Sequence, residues 1–162
     1  MAQITEEPGL NEKRQRPLKV LFLLEGVTVP ASRFRVMQFL PHFRRHGIEP
    51  TVVHGYGARY NAISRTRYGN AYKLASKLKL LLAAPLSARH DLVFIQRPAI
   101  PFAPVVEKLT ASFNDRIIFD FDDNLTVGVD GSEHVARART FREIISLSKR
   151  VIAGNAFLSD MA

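Results

Sequence analysis

The apolar positions of this chain fall into five short runs separated by stretches of helical period. Leu18-Lys19-Val20-Leu21-Phe22-Leu23-Leu24 is nearly unbroken, as in a strand buried on both faces of a parallel sheet. Ile48 to His54, Asp91 to Gln96, Arg116 to Phe121 and Lys149 to Ala153 are the other predicted strands. Phe34, Met37, Phe39, Leu40 and Phe43 recur mostly three or four apart and predict one helix with a single buried face. Ser32 would cap it and Gly47 would end it. A second helix is predicted over 70–84, with Ala71, Leu74, Leu78, Leu81 and Leu82 on its buried side. Helices over 102–113 and 132–148 follow, the latter burying Val135, Phe141, Ile144, Ile145 and Leu147, and Phe157 begins another.

Strict alternation of strand and helix implies an α/β fold: a Rossmann-like parallel sheet of about five strands with helices on both faces, spanning 18–162. Residues 1–17 read as a flexible tail. The 162 residues suit one domain. The sequence stops one turn into a new helix, which leads us to expect a piece of something longer, with a further domain missing.

Composition narrows the chemistry. There is no cysteine, hence no disulfide, thiol nucleophile or zinc–thiolate site, and a reducing cytoplasm fits. The formal charge is +8. Arg59, Arg65, Arg67, Lys73, Lys77, Lys79 and Arg89 lie in a segment without any acid. Such a patch can meet nucleic acid, anionic lipid or phosphorylated ligands, or be a solvated face. No helix-turn-helix or aromatic sheet platform accompanies it, so no nucleic-acid partner is expected. Lysines flanking a leucine row suit a peripheral place on an anionic membrane, on the inner face, with a core-packed helix as the plain alternative.

Candidate chemistry concentrates after the fourth apolar run, at Ile118-Phe119-Asp120-Phe121-Asp122-Asp123. Ligands of open α/β sheets sit outside the carboxyl ends of the strands. Asp120 and Asp122 would point to one side of a strand and could share a cation; loop-orienting hydrogen bonds are the alternative. Phe119 to Thr126 also resembles the first motif of haloacid-dehalogenase-type phosphatases, in which Asp120 would be nucleophile and Asp122 acid/base. Asp123 and Asn124 stand where that motif has Gly and Thr, and only 36 residues follow Thr126. Gly26, in the first strand-to-helix loop, is a phosphate-loop candidate by position, without a full Gly-x-Gly-x-x-Gly. His54, His90 and His134 have no metal-spaced partner, and His42 and His46 lack a third ligand.

A wider resemblance covers 18–162. Lys19-Val20-Leu21-Phe22, Ser32-Arg33-Phe34-Arg35-Val36, His46-Gly47-Ile48, Asp91 to Arg97, Ile118 to Asp123 and Arg150 to Leu158 occur in an order and spacing similar to the N-terminal, acceptor-side half of a GT-B-fold retaining glycosyltransferase, family-4-like. That resemblance implies transfer of a sugar from a nucleotide-sugar to a glycan or lipid-linked acceptor, with no metal or other cofactor as a rule. Ser32, Arg33, Arg35, Arg97, Asp122, Asp123 and Asn155 would line the cleft, the arginines gripping phosphate. The donor-binding glutamates belong to the other half, so the chain alone is expected to transfer no sugar, and no catalytic residue is singled out. A non-catalytic binding domain of the same fold is the remaining alternative.

Overall fold

The computed structural model describes residues 16–128 and 131–162. Strands β1 (Leu18–Gly26), β2 (Ile48–Tyr56), β3 (Leu92–Gln96), β4 (Ile117–Phe121) and β5 (Arg150–Ala153) form one sheet in the order β2-β1-β3-β4-β5. Every pairing is parallel; Leu21 stands opposite Thr51 and Val93, and Phe119 opposite Ile95 and Val151. The α/β Rossmann-like architecture expected from the alternating pattern is therefore present. The tail expected over 1–17 lies outside the described residues except at its end, where Arg16 is anchored by two hydrogen bonds to the Asp91 carboxylate.

Successive strand residues point to opposite faces, and both faces are covered. Leu21, Leu23, Val93, Ile95, Ile117, Phe119 and Phe121 pack under α4 (Gly69–Ala83), α5 (Val105–Phe113) and α6 (Val135–Leu147) through Leu80, Ala83, Val106, Phe141 and Ile144. Leu158 of α7 (Ala156–Ser159) closes the same cluster. Val20, Phe22 and Leu24 face the other way, against Val36, Met37, Leu40 and Phe43. Val36 directly follows α1 (Pro30–Arg35), Met37 belongs to a 3-10 turn (Met37–Phe39), and Leu40 and Phe43 belong to α2 (Leu40–Arg45). A short α3 (Tyr60–Ile63) interrupts the segment expected as loop.

Four expectations fail for local reasons. The single helix after β1 is broken into α1 and α2, with Val36 at φ −129° between them. Pro41 explains the break: inside a continuous helix it would remove a hydrogen bond and clash with the preceding turn, whereas near the start of α2 it is tolerated. Phe34 and Phe39 consequently point outward. Ser32 lies within α1, where Val29 holds the cap position. On α4 the buried residues are Gly69, Ser76, Leu80 and Ala83, while Leu74, Leu78 and Leu82 are exposed. The helix meets β2 through Leu80: a Cβ on Gly55 would stand 3.1 Å from Leu80 Cδ1. Val135, at the first turn of α6, is also exposed rather than core.

Candidate functional site

The connections from β1 and β3 leave toward opposite sides of the sheet, which opens a crevice between their carboxyl ends. Glu25 and Gly26 end β1, Gln96 and Arg97 end β3, and Asp122 and Asp123 follow β4. Arg97 sits at the centre. Its φ of 59° is left-handed, a conformation that costs a non-glycine residue of order 1 kcal/mol. The Arg97 N–H donates to the Asp120 carbonyl at 2.9 Å. Its guanidinium donates to Asp122 Oδ1 at 3.0 Å and to Glu25 Oε2 at 3.4 Å, and pairs with Asp123. One arginine thus ties together the ends of three strands.

A second pair lies beside it. Arg35 Nε donates to Asp120 Oδ2 at 2.8 Å, and its Nη2 bonds the other oxygen, a two-pronged grip. Asp120 is 1% exposed. Hydrogen bonding to Asp120 pushes the Arg35 pKa above the ordinary arginine value, with burial working against it. Asp120 thus has both oxygens engaged, and Asp122 is tied to a different arginine. That is the arrangement of a structural carboxylate, not of a free nucleophile beside its acid/base partner. Among the described residues no group of three or more His, Asp or Glu could hold a metal ion.

The other sequence candidates separate. Ser32 is fully buried; its hydroxyl donates to Gln96 Oε1 at 2.6 Å and accepts from Gly26 N–H at 3.4 Å. It latches the first loop to β3 and does not face the crevice. Gly26 is needed for packing: a Cβ there would lie 2.8 Å from the Tyr56 Cβ. Arg33 is exposed and rests over the Phe34 ring at 5.7 Å, away from the acids. Asn155 caps α7, its Oδ1 accepting from Leu158 N–H at 2.9 Å. Arg35, Arg97, Asp122 and Asp123 are brought together; Arg33, Ser32 and Asn155 are not part of that cluster.

Two cavities flank Arg97. An inner one of about 100 Å³ lies between β1, β3 and α4, walled by Leu24, Tyr56, Ser76, Leu80, Gln96 and Pro101. An outer one of about 250 Å³ is lined by Glu25, Arg97, Pro98, Asp123, Leu125 and Arg137. Burial raises the Tyr56 pKa, with Tyr60 and Glu25 adding to the effect. Gln96 is 2% exposed, and its Nε2 has no partner. Arg137 Nη1 donates to the Val127 carbonyl at 2.8 Å and the guanidinium lies over Phe102 at 5.3 Å, but it pairs with no carboxylate among the described residues. The wall segment 97–101 is pinned by Glu107, whose Oε1 accepts from Ala99 N–H at 2.8 Å. Glu107 is fully buried, and burial lifts its pKa to about 7.

Glu25 and Arg137 were not singled out from the sequence. Glu25 carried a usable signal, since it ends an apolar strand as Asp122 does. Arg137 carried none: it reaches the crevice only through the packing of α6. No family model matches the chain, and no curated protein matches it in sequence.

Proposed function

We propose that the chain is the acceptor-side domain of a GT-B-fold glycosyltransferase of the retaining kind, acting with a donor-binding domain on a nucleotide-sugar and a glycan or lipid-linked acceptor. The observation that carries this reading is the crevice at the β1/β3 carboxyl ends, where Glu25, Arg97 and Asp123 meet Arg137 beside apolar walls from Pro98 and Leu125. Carboxylates accept hydrogen bonds from sugar hydroxyls, and flat apolar surface covers the carbon face of a pyranose. Arg97 is already engaged by three carboxylates, and Arg35 by both oxygens of Asp120. These two arginines therefore position the rim and do not grip a diphosphate. Arg137 keeps its charge for the ligand. An acceptor with a phosphate or carboxylate next to its hydroxyls fits this set.

In the transfer, the anomeric carbon–oxygen bond to the nucleoside diphosphate breaks, the acceptor hydroxyl oxygen bonds to that carbon, and its proton is released. This domain holds and orients the hydroxyl; the chain alone turns over no donor. Titration of isotope-labelled chain with hexoses and hexose 1-phosphates, read by chemical-shift changes, tests the site. Shifts should cluster at Glu25, Arg97, Asp123 and Arg137. Arg137→Gln should weaken hexose phosphate about tenfold and leave free hexose unchanged, as expected for one charge-assisted hydrogen bond. Donor turnover by the isolated chain would refute the acceptor-half reading. Absence of any shift at the crevice would refute the sugar reading.

A further inference from the structure

We propose that the outer face of α4 is a docking surface for anionic phospholipid. The inference stands apart from the sugar-transfer reading, because it rests on a different face. Leu74, Leu78 and Leu82 recur four apart along α4, and Leu86 continues the row in the 3-10 turn Ala84–Arg89. Their exposures are 69%, 50%, 71% and 38%. Leu78, Leu82 and Leu86, with Val53, Ala75 and Ala83, line an open apolar groove at the β2 edge of the sheet. The buried side of the same helix is formed by Gly69, Ser76, Leu80 and Ala83, so these leucines lie outside the core. A continuous apolar row of this kind on a protein surface marks an interaction site.

The charges around the row select the occupant. Lys73, Lys77, Lys79 and Arg89 flank it, Arg59, Arg65 and Arg67 precede it, and residues 59–89 contain no acid. None of these seven cations joins an ion pair among the described residues. An interfacial helix has this composition: leucines enter the boundary between headgroups and acyl chains, and lysine stems lie along the apolar surface while their ammonium groups reach phosphate. Two copies meeting through this face would set seven positive charges against seven. A nucleic-acid backbone would meet the cations but offer the leucines nothing apolar. No helix among the described residues is long and apolar enough to cross a membrane, and attachment from one side needs none.

Flotation with vesicles of phosphatidylcholine alone, or with about a third phosphatidylglycerol, tests the proposal. We expect at least tenfold greater recovery with the anionic vesicles, reduced several-fold by raised salt because the attraction is screened. Leu78→Glu/Leu82→Glu should abolish binding, and the highly exposed positions keep the fold intact, as circular dichroism will show. Lys73→Gln/Lys77→Gln/Lys79→Gln should lower recovery by an order of magnitude. Equal recovery on neutral and anionic vesicles overturns the proposal, as does full binding by the glutamate variant. Self-association in sedimentation velocity that Leu78→Glu removes, without vesicle binding, would assign the face to a second copy. Tight binding of a single-stranded oligonucleotide without vesicle binding would assign it to nucleic acid.

Discussion

Glu107→Gln should flatten the pH dependence of stability. Glu107 is fully buried in the first turn of α5, with Oε1 on the Ala99 N–H and no partner for Oε2. Its pKa rises from 4.5 to about 7 because the charged form is desolvated. The folded protein therefore holds a proton at this site, between those values, that the unfolded chain has released. Stability must then fall as pH rises through that window and level off above it. With one pKa unit worth about 1.4 kcal/mol, the site's contribution falls by about 2.5 kcal/mol between pH 5 and pH 8. Glutamine keeps an oxygen for Ala99 and cannot ionise, although its amide nitrogen adds a fixed burial cost of about 1–3 kcal/mol at every pH. The difference between wild type and variant isolates Glu107 from every other titrating group. Urea unfolding of both proteins at pH 5, 6, 7 and 8 measures it. Wild type should lose about 2.5 kcal/mol relative to the variant across that range. A pH-independent difference would mean that Glu107 is solvated and ionised normally in the folded protein, which would refute the burial-driven shift.

Two further outcomes follow from the rim. Arg35→Ala strands the Asp120 carboxylate in a site 1% exposed, so unfolding free energy should drop by about 3–5 kcal/mol; Arg35→Ala/Asp120→Asn should recover part of that, and a single-variant loss below about 1 kcal/mol would show that the pair is not a brace. Gly26→Ala forces a methyl to 2.8 Å from the Tyr56 Cβ, so the melting temperature should fall by an amount equivalent to about 1–3 kcal/mol; an unchanged value would mean that the β1 and β2 exits are slack.

The strands were legible because burial on both faces leaves a mark that survives in one dimension. Leu18 to Leu24 and Ile117 to Phe121 read as apolar runs whichever helix covers them. The strand-end rule marked Asp122 and Asp123, and the family resemblance set Arg97 beside them. The orientation of α4 was not legible. Periodicity identifies a stripe but not which stripe meets the sheet, and here the stripe through Ser76, Leu80 and Ala83 meets it, leaving Leu74, Leu78 and Leu82 outside. Pro41 is a readable helix break that the spacing of Phe34, Met37, Leu40 and Phe43 masks. The Arg35–Asp120 and Arg97–Asp122 pairings were illegible for a different reason: residues 85 and 25 apart are joined only by sheet order.

The charge pattern separates the two surfaces proposed here. Four carboxylates, Glu25, Asp120, Asp122 and Asp123, share Arg35 and Arg97 at the rim, so the cluster keeps a net charge of −2. Such a rim attracts hydroxyl donors and repels a bare phosphate, which leaves anion contact to Arg137 at its edge. The basic surplus lies instead on 59–89, beside the exposed leucines. Had the chain evolved to hold a polyanion in its crevice, the surplus cations would line that crevice and the acids would lie elsewhere. The opposite distribution suits the proposed reading, in which the crevice takes a largely neutral, hydroxylated group. It gives the long-range attraction of a negatively charged surface to a face that can also take up leucine side chains. Under the two proposals, a substrate with a sugar head in an anionic lipid environment would engage both surfaces at once, and the two can be removed independently: Arg137→Gln alters the first, and Leu78→Glu/Leu82→Glu the second.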